Sequence, residues 1–359
     1  MSARAPGPRF AVYASTAGNY FYAEIRHLLA CGLREAGFQA LEADERKGFI
    51  PRADWHVVAA PHEFFYLGAG RALRAKPWPP GVILYNAEQP QSRWFSEFYR
   101  LLPRAHAVWD MDLETCGRLA REGWRCSRLP LGWVKGCELF SPVPRLPRIS
   151  MTRALPAAVR DFPAGRAGFS RRPLDLLFIG GRVPRRTAWF QAAASLLSSY
   201  RGFYRLVDFH RFLRPGAMEP LHTRTFLGLA QRAKLVLNIH LEEARYFEWH
   251  RIAVHGIGQG ALVLSEPTTE APPFKAGRDF VSAPLRDFPE AIRHYLGSPR
   301  GLAEGARIAA RGLRTYRESC RLAAFLPAAL AGLRSPGTPM ARRARRREAA
   351  AAALLRASP

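Results

Sequence analysis

Strand-like and helix-like segments alternate through the first 135 residues, and this alternation limits the fold more than any other feature. A short buried strand at residues 10–14 is followed by a tight loop and by a helix that begins at Tyr20. Gly37 stands where the C-terminal glycine of that helix is expected. Further strands, separated by helix-length segments, are predicted at residues 55–59, 82–85, 105–109 and 128–131. This order predicts a parallel sheet that helices cover on both faces.

The same pattern starts again after a proline-rich stretch at residues 141–173, in which one short helix is expected near residues 151–159. The expected strands are at residues 174–179, 204–209, 235–239 and 261–265, and the expected helices are at 187–197, 223–233, 247–258 and 301–333. The sequence therefore predicts a second α/β half.

These segments define four predicted parts of the chain. An N-terminal domain covers residues 1–140, a proline-rich linker covers 141–173, and a C-terminal domain covers 174–333. Residues 334–359 hold seven arginines and one glutamate, with little apolar periodicity, and are predicted to be a disordered basic tail.

Charge and cysteine content exclude several classes of protein. The chain has 359 residues and a formal charge of +25, but 48% of its residues are hydrophobic, too many for a disordered basic protein. Five cysteines without a C-x-x-C pair argue against a disulfide framework and a cysteine-rich zinc site. No apolar run approaches the roughly 20 residues of a spanning helix, and no signal-peptide core is visible at the N-terminus. We expect a cytoplasmic protein, with peripheral contact to an anionic membrane left open.

A glycine pair follows the first strand of the C-terminal half, at the place where an open α/β sheet binds anions. Gly180 and Gly181 would let the backbone approach a phosphate, and Arg182, Arg185 and Arg186 would neutralise it. The segment lacks G-x-G-x-x-G and G-K-[ST] spacing, so an ordinary glycine turn is the alternative.

Three further segments of the C-terminal half are expected to meet at one rim of the sheet. They contribute a second set of candidate ligand-binding residues: Asn238, His240, Glu248, Arg251, Ser265 and Glu266. The alternatives are a structural ion pair between Glu248 and Arg251, three positions apart on a helix, and a packing role for His240.

Polar residues also follow the strands of the N-terminal half. The candidate binding residues there are Gly18, Asn19, Asn86, Gln89 and Asp110, which would face the acceptor of a group-transfer reaction. Glu88 is a candidate general base. The alternative for residues 85–89 is a strand-end turn in which Asn86 and Gln89 satisfy backbone groups.

The pair Asp110 and Asp112 allows two interpretations. An Asp-x-Asp at a strand end holds Mn²⁺ or Mg²⁺ against a diphosphate in metal-dependent transferases of another fold. Alternatively, Asp112 begins a helix as its N-cap. The alternating α/β pattern favours the second interpretation, and no metal ligand is assigned.

Several of these runs resemble group 1 glycosyltransferases. In the C-terminal half the runs are residues 236–240, 247–252, 264–266 and 274–281, and in the N-terminal half they are 85–89, 107–110 and 129–133. The closest subset is the divergent bacterial proteins similar to spore-maturation glycosyltransferases. The resemblance implies a GT-B architecture, with two Rossmann-like domains facing a central cleft and the nucleotide-sugar donor mainly on the C-terminal one.

The resemblance also implies roles for individual residues. The loop at Gly180, Gly181 and Arg182 would approach the donor diphosphate, and Glu248 would hold the donor sugar or ribose. Retaining members of the family carry two glutamates eight positions apart on the latter segment, where this chain has Phe247 and His255. The sequence therefore departs from the retaining pattern.

The leading interpretation is a metal-independent glycosyltransferase with Glu88 and Glu248 as its catalytic carboxylates. It would move a sugar from a nucleotide-diphosphate donor to a glycan, lipid-linked or protein acceptor, and it needs no cofactor because the nucleotide-sugar is a substrate. One alternative is a nucleotide-sugar epimerase or a catalytically silent sugar-nucleotide-binding protein on the same fold. The other is a basic nucleic-acid-binding protein, for which no RRM, KH or zinc-finger signature is present.

Overall fold

The structure is a computed structural model that describes residues 7–164, 168–207 and 219–333. Within these ranges the chain forms two compact units. Unit 1 contains residues 7–130 and 322–333, and unit 2 contains the described residues from 131 to 321. The division differs from the predicted domains, because the proline-rich stretch packs as part of unit 2 and the last helix as part of unit 1. The predicted tail, residues 334–359, lies outside the described residues.

Unit 1 is built on a parallel sheet whose described strands have the order β2-β1-β3-β4-β5-β6. The strands are β1 (Arg9–Tyr13), β2 (Gln39–Ala43), β3 (Trp55–Ala59), β4 (Val82–Asn86), β5 (Ala107–Asp110) and β6 (Cys126–Arg128). Its helices are α1 (Tyr20–Glu35), α2 (Pro61–Phe64), α3 (Gly70–Ala75), α4 (Arg93–Tyr99), α5 (Leu113–Arg121) and, from the end of the described chain, α12 (Leu322–Ala331). Strands β3, β4 and β5 are buried along their whole length, as expected for a parallel sheet covered on both faces.

The first helix illustrates how the sequence pattern produces this packing. Ile25, Leu28, Leu29 and Leu33 recur at helical spacing and are all buried. The helix ends at Glu35, and Gly37 adopts φ = +90°, a left-handed conformation that glycine tolerates without a Cβ clash. The predicted helix and its terminating glycine are confirmed.

Unit 2 contains a second parallel sheet, with the order β11-β10-β9-β7-β8 among the described strands. The strands are β7 (Leu174–Gly181), β8 (Gly202–Val207), β9 (Ala233–Asn238), β10 (Leu262–Ser265) and β11 (Val281–Ser282). The helices are α6 (Ala157–Arg160), α7 (Pro184–Ala192), α8 (Ala194–Ser198), α9 (Glu219–Ala230), α10 (Phe288–Gly297) and α11 (Pro299–Ser319), together with a π-helix at His250–Gly256.

The first three strands of each unit have the same arrangement, and this arrangement indicates where ligands bind. In each sheet the second strand in the chain lies on one side of the first strand, and the third strand lies on the other side. The order therefore reverses between β1 and β3 in unit 1 and between β7 and β9 in unit 2. Open α/β sheets bind ligands at such switch points, beyond the carboxyl ends of the strands.

Several predicted elements differ in detail from the observed ones. Residues 180–181 belong to β7 and pair with β8 instead of forming a loop, because glycine does not prevent ladder hydrogen bonds. The helix predicted throughout residues 301–333 is interrupted at Cys320, and the one near 151–159 is reduced to α6. The segment 247–258 contains a π-helix, and strands β2 and β11 were not predicted.

None of the helices in the described part of the chain is both long enough and apolar enough to cross a membrane.

Candidate functional site

The switch point of unit 2 is occupied by an ion pair beside a cavity. Arg185, in the first turn of α7, forms a bidentate salt bridge with the carboxylate of Glu266. Its Nη1 lies 2.7 Å from Oε2, and its Nη2 donates to Oε1. The contact raises the pKa of the Arg185 guanidinium. A cavity of about 300 Å³ is lined by both residues and by His240, Arg245 and Arg286, among others. Two of the residues predicted to bind a donor therefore meet at the place where the strand order predicts a ligand.

His240, which also lines this cavity, has a buried ring nitrogen without a hydrogen bond in the described part of the chain. Its backbone N–H donates to Glu266 Oε2 at 2.8 Å, and its Nδ1 lies 2.8 Å from Ala244 O. A carbonyl oxygen only accepts, so Nδ1 carries a proton, and Nε2 is the acceptor of the ring in its neutral form. That Nε2 is buried and has no hydrogen-bond partner among the described residues.

Asn238 and Glu248 add two more acceptors of this kind. Asn238 donates its amide to Ser265 Oγ at 3.0 Å, while its Oδ1 is buried without a donor in the described ranges. Glu248 Oε2 is also buried and without a hydrogen bond there, although Arg251 Nε lies 3.5 Å away. Buried acceptors without a donor are costly, so a ligand that supplies hydroxyl or N–H donors would be stabilised by them.

The structure gives Arg186 a different role from the predicted one. Its side chain is 1% exposed and donates to Ile239 O and Gly181 O, which joins the ends of β7 and β9. Burial lowers the pKa of Arg186 to about 10, so it remains protonated at neutral pH. Gly180 leaves room for two neighbouring side chains, because a Cβ there would lie 2.7 Å from Phe178 Cζ and 3.1 Å from Arg186 Nη1. Arg186 thus joins strand ends instead of facing a phosphate, and neither Arg186 nor Gly180 is among the residues that line the cavity.

The remaining predicted donor-side residues lie at the same edge of the sheet. Arg182 has an exposed side chain, and its N–H donates to Val207 O at 2.7 Å. Arg251 contacts Ile179 O and also Glu248, which supports the predicted structural ion pair. Ser265 donates to Glu266 O at 2.8 Å. Glu248 precedes the π-helix instead of lying inside a regular helix, and π-turns are frequent at functional sites.

In unit 1, two of the predicted residues form a buried pair at the ends of β4 and β5. Asn86 Nδ2 donates to Asp110 Oδ2 at 2.8 Å and to Glu88 O at 3.0 Å, and Asn86 Oδ1 accepts the Glu88 N–H. Burial raises the pKa of Asp110 well above its usual range. The strand-end turn is thus observed for Asn86, whereas the side chain of Gln89 contacts Gln91.

Asp112 caps α5. Its Oδ2 accepts hydrogen bonds from Thr115 N and Thr115 Oγ1 at 2.8 and 2.9 Å. The predicted helix start is confirmed. Asp110 accepts from Asp112 N on its other oxygen at 2.8 Å.

Glu88 lies against two residues that the sequence analysis did not select. Tyr22, in α1, donates its hydroxyl to Glu88 Oε1, and His62 Nε2 lies 3.5 Å from the same oxygen. Tyr22 and His62 are 2% and 1% exposed, and burial lowers the pKa of His62. Because His62 follows β3 as Glu88 follows β4, the strand-end rule applied to the predicted strand at residues 55–59 would have found it.

Glu63 fixes the loop that contains Gly18 and Asn19. The Glu63 carboxylate accepts the Asn19 N–H at 2.7 Å and also the Asn19 side-chain amide. A Cβ on Gly18 would lie 1.8 Å from Glu63 Oε2, so only glycine admits this approach. The two predicted residues therefore contact a buried carboxyl that sequence reasoning missed.

The buried Glu63 carboxyl makes the stability of the protein depend on pH. Desolvation raises the pKa of Glu63 to about 7, with a smaller contribution from the charge of Glu88. The folded state then holds a proton that the unfolded state releases above about pH 4.5. The contribution of Glu63 to the free energy of unfolding is therefore fully present below about pH 4.5 and is lost as the pH rises through about 7. The free energy of unfolding then falls by at most about 3 kcal/mol between pH 5 and pH 8, and the melting temperature falls with it. We expect Glu63→Gln to flatten this fall. Thermal unfolding at both pH values measures this, with exposed Glu114→Gln as control; equal slopes in Glu63→Gln and wild type would contradict it.

Comparison with known proteins supports the fold. No protein-family model and no curated protein matches the chain. Among solved structures, Anabaena Alr3699/HepE in complex with UDP-glucose is 8% identical, with a TM-score of 0.51 over 91% of this chain and 99% of that one. An α1,3-fucosyltransferase is 11% identical, with a TM-score of 0.52 over 94% and 95% of the two chains. At such low identity the similarity shows the fold alone. The chain has the parallel α/β fold of the GT-B class, which confirms the predicted fold class.

Proposed function

We propose that this protein is a glycosyltransferase and that unit 2 binds its nucleotide-diphosphate sugar donor. One observation carries the proposal: Arg185, Glu266 and His240 line a cavity at the switch point of unit 2, and Asn238 Oδ1, His240 Nε2 and Glu248 Oε2 are buried acceptors without a hydrogen bond among the described residues of the same unit. A nucleotide sugar has the complementary chemistry, an anionic diphosphate beside sugar and ribose hydroxyls. The fold supports the same class of activity, since the similar solved structures are a protein in complex with UDP-glucose and a fucosyltransferase.

Each group has a defined part in the proposed donor complex. Arg185, with Arg182 and Arg251 nearby, offsets the charge of the diphosphate and the further charge that develops as it leaves. Asn238 Oδ1, His240 Nε2 and Glu248 Oε2 accept hydrogen bonds from ligand hydroxyls. Arginine takes the part that a metal ion has in other transferases, and we propose that transfer is metal-independent.

The proposed reaction is a displacement at the anomeric carbon of the donor sugar. An oxygen of the acceptor forms a bond to that carbon, the bond to the diphosphate oxygen breaks, and the nucleoside diphosphate leaves with the electron pair. Glu88 takes the proton from the acceptor hydroxyl. The acceptor is a glycan, a lipid-linked molecule or a protein.

Three further predictions from the sequence are kept as proposals: similarity to the spore-maturation subset of glycosyltransferases, a cytoplasmic location, and peripheral contact with an anionic membrane.

Nucleotide-induced thermal stabilisation tests the donor site. We expect one of UDP, GDP and dTDP at millimolar concentration to raise the melting temperature, since a ligand at 100 times its Kd adds about 2.7 kcal/mol. Inorganic pyrophosphate is the control for non-specific binding of anions by a basic chain. A shift with none of the nucleotides, or a shift no larger than that with pyrophosphate, would overturn the proposal.

A further inference from the structure

Two buried side chains converge on one oxygen of Glu88. The hydroxyl of Tyr22 donates to Oε1, and Nε2 of His62 lies 3.5 Å from Oε1 and 3.2 Å from the Tyr22 oxygen. The three residues come from the start of α1 and from the ends of β3 and β4, so they lie beside the switch point of unit 1. Asn86 holds the backbone of Glu88 through both its N–H and its carbonyl.

The hydrogen count of this cluster fixes the tautomer of His62. Tyr22 has one hydroxyl proton, which it donates to Glu88. Both atoms facing His62 Nε2 therefore act as acceptors, so Nε2 must carry a proton. Because burial lowers the pKa of His62, the ring is neutral at pH 7 and Nδ1 carries the lone pair. That Nδ1 is buried and has no partner within the described residues.

A packing role alone does not account for this histidine. Its ring is 1% exposed and lies between the rings of Tyr22 and Trp94, at centroid distances of 5.4 and 5.9 Å. An apolar side chain would fill that space without burying a lone pair. The backbone also bends sharply to bring it there, since Ala60 adopts φ = +49°, a left-handed conformation that alanine rarely takes.

We propose that Tyr22 and His62 are positioning residues: Tyr22 holds Glu88 Oε1 with its donated hydrogen bond, His62 donates to the Tyr22 oxygen and lies 3.5 Å from Oε1, and Oε2 is left to take the acceptor proton. Among the described residues no donor is assigned to Oε2. The Tyr22 hydrogen bond, with the His62 ring held against both the Tyr22 oxygen and Oε1, fixes the rotation of the carboxylate, and such fixed orientation makes proton transfer efficient. The inference rests on the proposed function, because it assigns Glu88 as the base of that reaction.

Steady-state kinetics test the positioning role. The substrate is the nucleotide sugar whose nucleotide stabilises the protein, with water as acceptor and nucleoside diphosphate release as the readout. We expect Tyr22→Phe to lower kcat 10- to 100-fold with little change in donor KM, because the donor binds to unit 2. His62→Gln, which keeps an N–H donor, should lose less than His62→Leu. The matched control is Tyr99→Phe, since Tyr99 donates to Glu122 Oε2 at 2.9 Å on the same unit, away from the switch point.

Two results would overturn the inference. One is an equal effect of Tyr22→Phe and Tyr99→Phe on kcat, and the other is a loss that falls on donor KM alone. A second measurement needs no substrate: ¹⁵N NMR of the histidine rings, with the His62 signals assigned by their absence in His62→Gln. A protonated Nε2 and an unprotonated Nδ1 at pH 7 are expected, and the opposite tautomer overturns the inference. If this tautomer is found but no nucleotide binds, the proposed function fails and the hydrogen-bonded cluster stands.

Discussion

Replacing Arg232 with methionine is expected to lower the free energy of unfolding by about 4 kcal/mol, because a buried cation that holds several carbonyl groups would be lost. Arg232 is 0% exposed, and burial lowers its pKa to about 10, so it is charged at neutral pH. Its guanidinium lies within hydrogen-bond distance of six carbonyl oxygens, four of which share the two N–H groups of Nη2; the six are those of Val143, Pro144, Val159, Arg160, Phe162 and Gly228. Its removal takes the side-chain donor from these carbonyls, although Arg160 O and Phe162 O still accept from the N–H groups of Leu146 and Ala164, and it weakens the attachment of the proline-rich stretch to the body of unit 2.

Differential scanning calorimetry measures this effect, and a decrease in melting temperature of roughly 8–16 °C is expected for a unit of this size. Arg232→Lys should be intermediate, because an ammonium has three donors and not five. The control is Arg201→Met on the same unit, where an exposed arginine pairs with Asp175 and should contribute less than about 1 kcal/mol. Equal melting temperatures for Arg232→Met and Arg201→Met would show that water satisfies the six carbonyls.

Replacing Arg185 with alanine is expected to weaken binding of the stabilising nucleotide about 30- to 150-fold. Charge-assisted hydrogen bonds contribute about 2–3 kcal/mol, and 1.4 kcal/mol corresponds to a tenfold change in Kd. The substitution also leaves Glu266 without its arginine partner at the cavity, so an uncompensated carboxylate would repel the diphosphate.

Isothermal titration calorimetry of the variant and the wild type measures this change. Arg201→Ala removes the same charge from the same unit, but Arg201 precedes β8, at the opposite end of the sheet from the cavity. It should leave the Kd within a factor of about two if long-range charge is screened. A similar loss of affinity in both variants would show that the total positive charge of unit 2, and not the Arg185 site, binds the nucleotide.

Strand-end reasoning selected some of the residues that the structure brings together and missed others. It selected Asn86, Glu88 and Asp110 as separate strand-end candidates, which the structure joins by hydrogen bonds, and it favoured Asp112 as a helix cap, which is confirmed. It did not find Tyr22, His62 or Glu63. The reason for Tyr22 is that its position in the first turn of α1 reads as part of an apolar helix face, and only its contact with Glu88 distinguishes it.

The arginines show the same limit most clearly. In the sequence Arg182, Arg185 and Arg186 are equivalent members of one basic run. In the structure Arg182 is exposed, Arg185 is paired with Glu266, and Arg186 is buried against backbone carbonyls. Local spacing does not distinguish these environments, since each depends on which distant strand ends lie beside α7.

The sequence by itself determined that this protein has two parallel α/β units with polar residues at the strand ends, because hydrophobic periodicity, glycine and proline act over a few neighbouring residues. Only the tertiary structure decided which charges are buried and what satisfies them. Arg232 depends on five carbonyls that lie 70 to 89 positions away along the chain. Its burial, like the pairing of Tyr22 and His62 with Glu88, comes from segments that meet only when the sheets form, since desolvation depends on neighbours in space.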